Sequence, residues 1–197
     1  GAFYGVNSNV YRISQSGAVT TLRAFGGSLS APNPELLAAS DGALYGTFFW
    51  GGTADLGRVF RLTLTGDFAE LHAFTGAAGG EHPLAGLIEA GGAFYGTTST
   101  NWGTVYRLDH AGTFATIATF STTLGSNPSG VMLASDGLLY GTTQGGGATP
   151  TGEALVSGTA FNLPLTGPAG LVWTFASDAP AKPVDGIVER APRDFYG

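Results

Sequence analysis

The chain has 197 residues, with 33 Gly, 10 Pro, no Cys, 43% apolar side chains, only 11% charged ones and a net charge of −6. That length fits one domain with a sizeable core or a short array of small units, and the apolar content excludes a disordered chain. The acidic balance argues against nucleic acid or anionic lipid as a partner, and the absence of cysteine removes disulfides, thiolate metal sites and a thiol nucleophile together.

No apolar run approaches the ~18 residues that span a bilayer, so membrane insertion of this segment is not expected. The start at Gly1, with no charged segment leading into an apolar one, reads as a processed or excised piece without a signal peptide.

Taken in chain order, the predicted strands fall into short blocks. The first carries Tyr4-Gly5, followed by Asn9–Ile13 and Thr21–Phe25. A proline-led block, Pro34–Leu37, precedes Tyr45-Gly46, Arg58–Leu62 and Glu70–Phe74. The order then repeats as Pro83–Leu87, Tyr95-Gly96, Thr104–Leu108 and Thr116–Phe120, and again as Pro128–Met132, Tyr140-Gly141, Thr159–Leu163 and Leu171–Phe175. Pro183–Ile187 and Tyr196-Gly197 begin it once more. The Tyr-Gly pairs are spaced by 41, 50, 45 and 56 residues.

Each block is short, rich in β-branched and aromatic residues, and bounded by Gly, Asp, Ser or Pro, which are strand signals. Ser40-Asp41-Gly42, Ser135-Asp136-Gly137 and Ala90-Gly91-Gly92 supply the positive φ that tight hairpins need. No long segment carries apolar residues at a helical period. Four antiparallel strands in a unit of about 45–50 residues predict an all-β fold, a β-propeller of about four four-stranded blades. This is read as a single repeat domain over 1–197, with repeats at 1–33, 34–82, 83–127 and 128–182.

With the strands of a blade labelled A to D, the proline-led strand is A, the inner one, and Tyr-Gly lies on B. The chain then starts on B, and 183–197 either starts a further repeat or closes the first blade. Three arrangements follow: a segment of a longer ring or array, closure within the chain, or strand exchange with a neighbouring molecule.

The motif series Gly-Thr-Val-Tyr-Arg-Leu at 103–108, His72–Phe74, Pro83–Leu87 and Asp136–Thr143 resembles the GloVer tandem-repeat family over essentially the whole chain. The resemblance implies a secreted bacterial surface protein built of such repeats, and it implies no chemistry, because the family carries no established activity. The last repeat departs most, with Asn162 in place of the recurrent Arg and an insertion at 145–157.

In an antiparallel meander the A–B and C–D turns share one face and the B–C and D–A connections share the other. The latter are long here, at 48–57, 99–103 and 145–157 and at 26–33, 75–82, 121–127 and 176–182. Long loops on a rigid scaffold are where binding sits. Trp50 and Trp102 lie in B–C loops with Phe49 beside the first, which suits stacking on sugar rings, and wedging of these rings between blades is the structural alternative. Trp173, aligned with Arg23 and His72 in strand D, is expected to pack.

Arg12, Arg61 and Arg107 share one repeat position and are expected to tether strands, with an anion-binding ring as the alternative. His72, His82 and His110 have no metal-site spacing, Asp41 and Asp136 read as turn formers, and 145–147 is no dinucleotide fingerprint. No cofactor, metal site or catalytic constellation is expected. The sequence thus predicts a non-catalytic extracellular module of a surface layer, appendage or filament, whose partners are copies of itself or further repeats. A glycan-binding module is the alternative, and a polysaccharide hydrolase or lyase stands behind both.

Overall fold

A computed structural model describes residues 1–25, 33–76, 79–147, 158–175, 183 and 186–196. Its seventeen strands fall into five antiparallel sheets. β1 (Ala2–Val6), β2 (Asn9–Ser14) and β3 (Val19–Ala24) form a three-stranded sheet. Three four-stranded sheets follow, each in strict sequence order. They are β4 (Leu37–Ala38), β5 (Leu44–Phe48), β6 (Arg58–Leu62) and β7 (Phe68–Ala73); β8 (Ile88–Ala90), β9 (Ala93–Thr98), β10 (Thr104–Asp109) and β11 (Phe114–Thr119); and β12 (Ser126–Leu133), β13 (Leu139–Gly145), β14 (Thr159–Leu163) and β15 (Gly170–Thr174). β16 (Val188–Ala191) and β17 (Asp194–Tyr196) pair with each other in a fifth sheet and not with β1. These are successive propeller blades, numbered one to five below.

The register explains the Tyr-Gly repeat. Gly5, Gly46, Gly96 and Gly141 each face an aromatic on the next strand, namely Tyr11, Phe60, Tyr106 and Phe161. A Cβ on any of these glycines would strike that ring, so the missing side chain is the space the ring fills. Every C–D pair also breaks register at one repeat position, beside Tyr11, Phe60, Tyr106 and Phe161. A bulge there in all four blades is a built feature that adds twist.

Strand A is shorter than its proline-led block suggests in blades two and three, whereas in blade four it runs Ser126–Leu133 and Pro128 pairs with Thr143. Pro83 contributes only an isolated bridge to Thr98, and the ladder starts at Ile88; in blade two it is reduced to Leu37–Ala38. Proline has no N–H to donate, so in blades two and three regular pairing begins several residues later, while in blade four a register shift between Pro128 and Gly130 accommodates it inside the ladder. In the last sheet the strand is described over Val188–Ala191, and residues 184–185 of its proline-led block lie outside the described residues.

The core lies between blades, in three clusters. Val10, Leu44 and Phe60 join blades one and two; Tyr45, Phe74, Phe94 and Tyr106 join two and three; Tyr95, Phe120, Leu139 and Phe161 join three and four. Polar contacts repeat in the same way. The Ser40 N–H and hydroxyl donate to the two oxygens of Glu89 (2.7 and 2.6 Å), and Ser135 does the same to Glu189 (2.7 and 2.9 Å). Phe94 packs on Tyr45 at 4.2 Å and Phe195 on Tyr140 at 4.4 Å between ring centroids.

Candidate functional site

The long-loop face starts from a glycine at the foot of strand C in blades two, three and four. Gly57, Gly103 and Gly158 take φ of 101°, 89° and 90°, where an L side chain is strained. A Cβ on each would also meet the proline that opens the next blade, Pro83, Pro128 or Pro183. Their carbonyls accept the N–H of Phe74, Phe120 and Phe175, at 2.9, 3.0 and 3.1 Å. Glycine, proline and phenylalanine thus fix the base of each B–C loop against the following blade.

On that base, the loop after β5 turns back through Gly51, whose N–H donates to Asp55 at 2.7 Å. It brings Phe49 and Trp50 against His82, the residue before the strand-A proline of blade three. Phe49 stacks on the imidazole (4.5 Å, 15°), and Trp50 meets it edge-on (4.4 Å, 69°). Nδ1 of His82 donates to the Phe49 carbonyl at 2.9 Å, and its backbone N–H donates to Leu56 at 2.7 Å. These bonds hold His82 in a left-handed conformation, φ 54°.

Trp50 is nonetheless 42% exposed and Trp102 47%, and neither belongs to an interblade cluster, although Trp50 touches the next blade through His82. Trp102 lies at φ 78° between Asn101 at 52° and Gly103 at 89°. Three left-handed residues in succession, one bulky, amount to strain of order 1–3 kcal/mol per non-glycine site. Trp102 accepts the Asn127 N–H at its carbonyl (3.0 Å), and its indole makes none of the ring contacts found among the described residues. Phe49 and Trp50 are therefore brought together, while Trp102 stands apart in the next blade's loop. His82 is the member that sequence reasoning missed. Its one signal was its place before the strand-A proline, shared with Asn33 and Asn127.

Trp173 corrects an expectation, since it is 65% exposed instead of packed. It sits on the outer strand opposite Ala160, where Arg23 and His72 sit in their own blades. Arg23 lies over Phe68 and His72 stacks flat on Phe114 (3.8 Å), each on the outer strand of the next blade. The fifth sheet presents no such strand among the described residues.

The arginine row is partly a tether. Arg61 donates to Asp41 (3.1 and 3.0 Å) and to the Tyr45 hydroxyl, and Tyr45 donates to the same carboxylate, across the end of blade two. Asp41 and Asp136 also close their turns by accepting the N–H of Ala43 and Leu138. Where Asn162 replaces the arginine, Arg193 of blade five approaches Asp136 at 3.9 Å. The histidines are dispersed: burial, opposed by the charge of Glu70, pulls the pKa of His72 down, while His110 pairs with Glu89 at 3.1 Å. Among the described residues no three His, Asp or Glu are placed to hold a metal ion. The insertion beyond Gly147 and the loops 26–32 and 176–182 lie outside the described residues.

Fold and register define a repeat protein of the β-propeller class. The Gloeobacter/Verrucomicrobia repeat matches residues 1–197, and the chain belongs to that family. No curated protein matches it. Among solved structures it is similar to a candidate gluconolactonase, with TM-score 0.51 and 16% identity over 89% of this chain and 73% of that one. It is also similar to the extracellular domain of a candidate hybrid two-component system from B. thetaiotaomicron, with TM-score 0.56 and 13% identity. There 92% of this chain covers only 21% of the other. At such identities the likeness concerns the fold. No helix among the described residues is long and apolar enough to cross a membrane.

Proposed function

We propose that the chain is a non-catalytic, extracellular propeller module that works through its surfaces, as a building block of a bacterial surface layer, appendage or filament. The observation that carries this reading is the Ser–Glu clamp. Ser135 holds Glu189 as Ser40 holds Glu89, so one blade docks on the next through contacts that are reused along the array. Such repeats add stability by nearest-neighbour contacts and extend without redesign. The extracellular domain among the similar structures supports the location. Electron microscopy of the purified protein at near-physiological salt tests the assembly role. Filaments or sheets with a regular repeat are expected, and isolated compact particles at every concentration would sink it.

A second reading, carbohydrate binding on the long-loop face, is favoured by the exposed Trp50 braced by Phe49 and His82. Retention of the protein on insoluble polysaccharide tests it.

A further inference from the structure

We infer that Trp50 and Trp102 are two stacking platforms for neutral pyranose rings of a polysaccharide, and that His82 is the positioning residue of the first. The inference rests on the carbohydrate-binding reading and names its site and ligand class.

The platform at Trp50 is preorganised. Its indole touches Phe49 (5.1 Å, 71°) as well as the His82 edge, and Phe49 and His82 are themselves stacked and joined by the Nδ1–carbonyl bond. Three rings bracing one another restrict the indole before any ligand arrives, which lowers the entropy lost on binding. Burial would have served packing alone, yet much of the indole stays in solvent. Trp102 reaches the same condition differently. Its backbone and that of Asn101 are left-handed, and the residue is exposed and outside the interblade clusters. Observed strain at an exposed aromatic, in the corresponding loop of the next blade, points to use of the ring.

The loop chemistry selects the ligand. Residues 49–57 and 99–103 contain Thr53, Ser99, Thr100 and Asn101 as hydroxyl and amide groups, one carboxylate at Asp55, and no Lys or Arg. Arg58, at the edge of the first loop, lies over Phe48 at 4.2 Å and is paired with Glu70. An anionic polymer would find no free cation on these loops. A neutral pyranose presents a C–H face to the indole and a rim of hydroxyls to the polar groups around it.

The test is affinity electrophoresis of the whole chain in gels containing neutral β-glucan, xylan or mannan, with polygalacturonate and alginate as anionic probes, backed by titration calorimetry. At least one neutral polysaccharide should retard the protein, and the polyuronates should not. Trp50→Ala and Trp102→Ala should each weaken retention roughly tenfold, the scale of one aromatic contact. His82→Ala should weaken it through Trp50, and His82→Phe, which keeps a ring there, should restore most of it, with thermal melts verifying the fold of every variant. Retention by a neutral glycan that survives both tryptophan variants overturns this site and leaves the carbohydrate reading standing. Stronger retention by polyuronates overturns the ligand class, and no retention by any probe overturns site and reading together.

Discussion

At the scale of single residues, the blades differ where one atom decides the energetics. Tyr106 fills the pocket that Phe60 and Phe161 fill in the blades on either side, but its hydroxyl is buried without a hydrogen-bond partner among the described residues. Burial drives its pKa far above the usual phenol value, so it stays neutral at any physiological pH. An orphaned buried hydroxyl costs about 1–3 kcal/mol, and Tyr106→Phe should therefore stabilise the protein by about 1 kcal/mol in urea unfolding. Unchanged or lower stability would mean the hydroxyl has a partner. Glu89 shows the opposite case. The Ser40 hydroxyl, opposed by partial burial and helped by the Ser40 N–H and His110, holds its carboxyl below the ordinary glutamate range. A carboxylate depressed in the folded state contributes stability above its unfolded pKa and loses it as pH falls through the folded one. Melting temperature should thus decline with acidification below the ordinary glutamate value, and Glu89→Gln should lower it at neutral pH while flattening that acid slope. A slope identical in the variant would assign the acid sensitivity to other carboxylates, such as Asp41, Asp67 and Asp109, whose pKa values are also lowered.

At the scale of elements, the joint between loop and strand is the least tolerant place. Gly103 combines a left-handed φ with proximity to the Pro128 ring and the Thr98 carbonyl, whereas Gly137, also left-handed, has nothing near its absent Cβ. Gly103→Ala should cost about 3 kcal/mol, backbone strain plus overpacking, against about 1 kcal/mol of strain for Gly137→Ala. Equal losses, read by thermal or urea unfolding, would show that the glycine–proline contact does not lock the blades. Much of this was legible in the sequence, because Tyr-Gly, the Val-aromatic-Arg block and the strand-A proline recur as local patterns whose physical demands are local. Even there the proline did not set the length of strand A, which begins after it in blades two and three and before it in blade four. The candidate site was legible only in part. Trp50 and Phe49 announce themselves as aromatics in a polar loop, but His82 joins them across a blade boundary, through a contact set by the tertiary path of the D–A connection. Trp173 was misread for the same reason, because its burial depends on the next blade's outer strand and not on its own.

At the scale of the whole molecule, the chain is a series of junctions that are similar but unequal. Blades two and three, and four and five, share the Ser–Glu clamp. Between blades three and four the turn reads Ala90-Gly91-Gly92, and the Tyr95 hydroxyl donates instead to the Leu165 carbonyl at 3.1 Å, beside the core contacts of Tyr95, Leu139 and Phe161. If each blade is supported only by its neighbours, damage at one junction should stay there. Glu189 is suited to this test, since it receives the Arg193 N–H (3.0 Å) and both Ser135 groups, and these contacts, the Arg193 N–H foremost and against some burial, keep its carboxyl below the ordinary range. In Glu189→Ala the fifth sheet loses that anchor and keeps chiefly the Phe195–Tyr140 packing and the Ser129 bond to Pro183. Hydrogen exchange should then accelerate across 188–196 while the amides of β9, β10 and β11 keep their protection, because local opening is governed by local contacts. Protection lost evenly through all blades would mean that the array unfolds as one cooperative body, and that its junctions are not the separable units the repeating contacts describe.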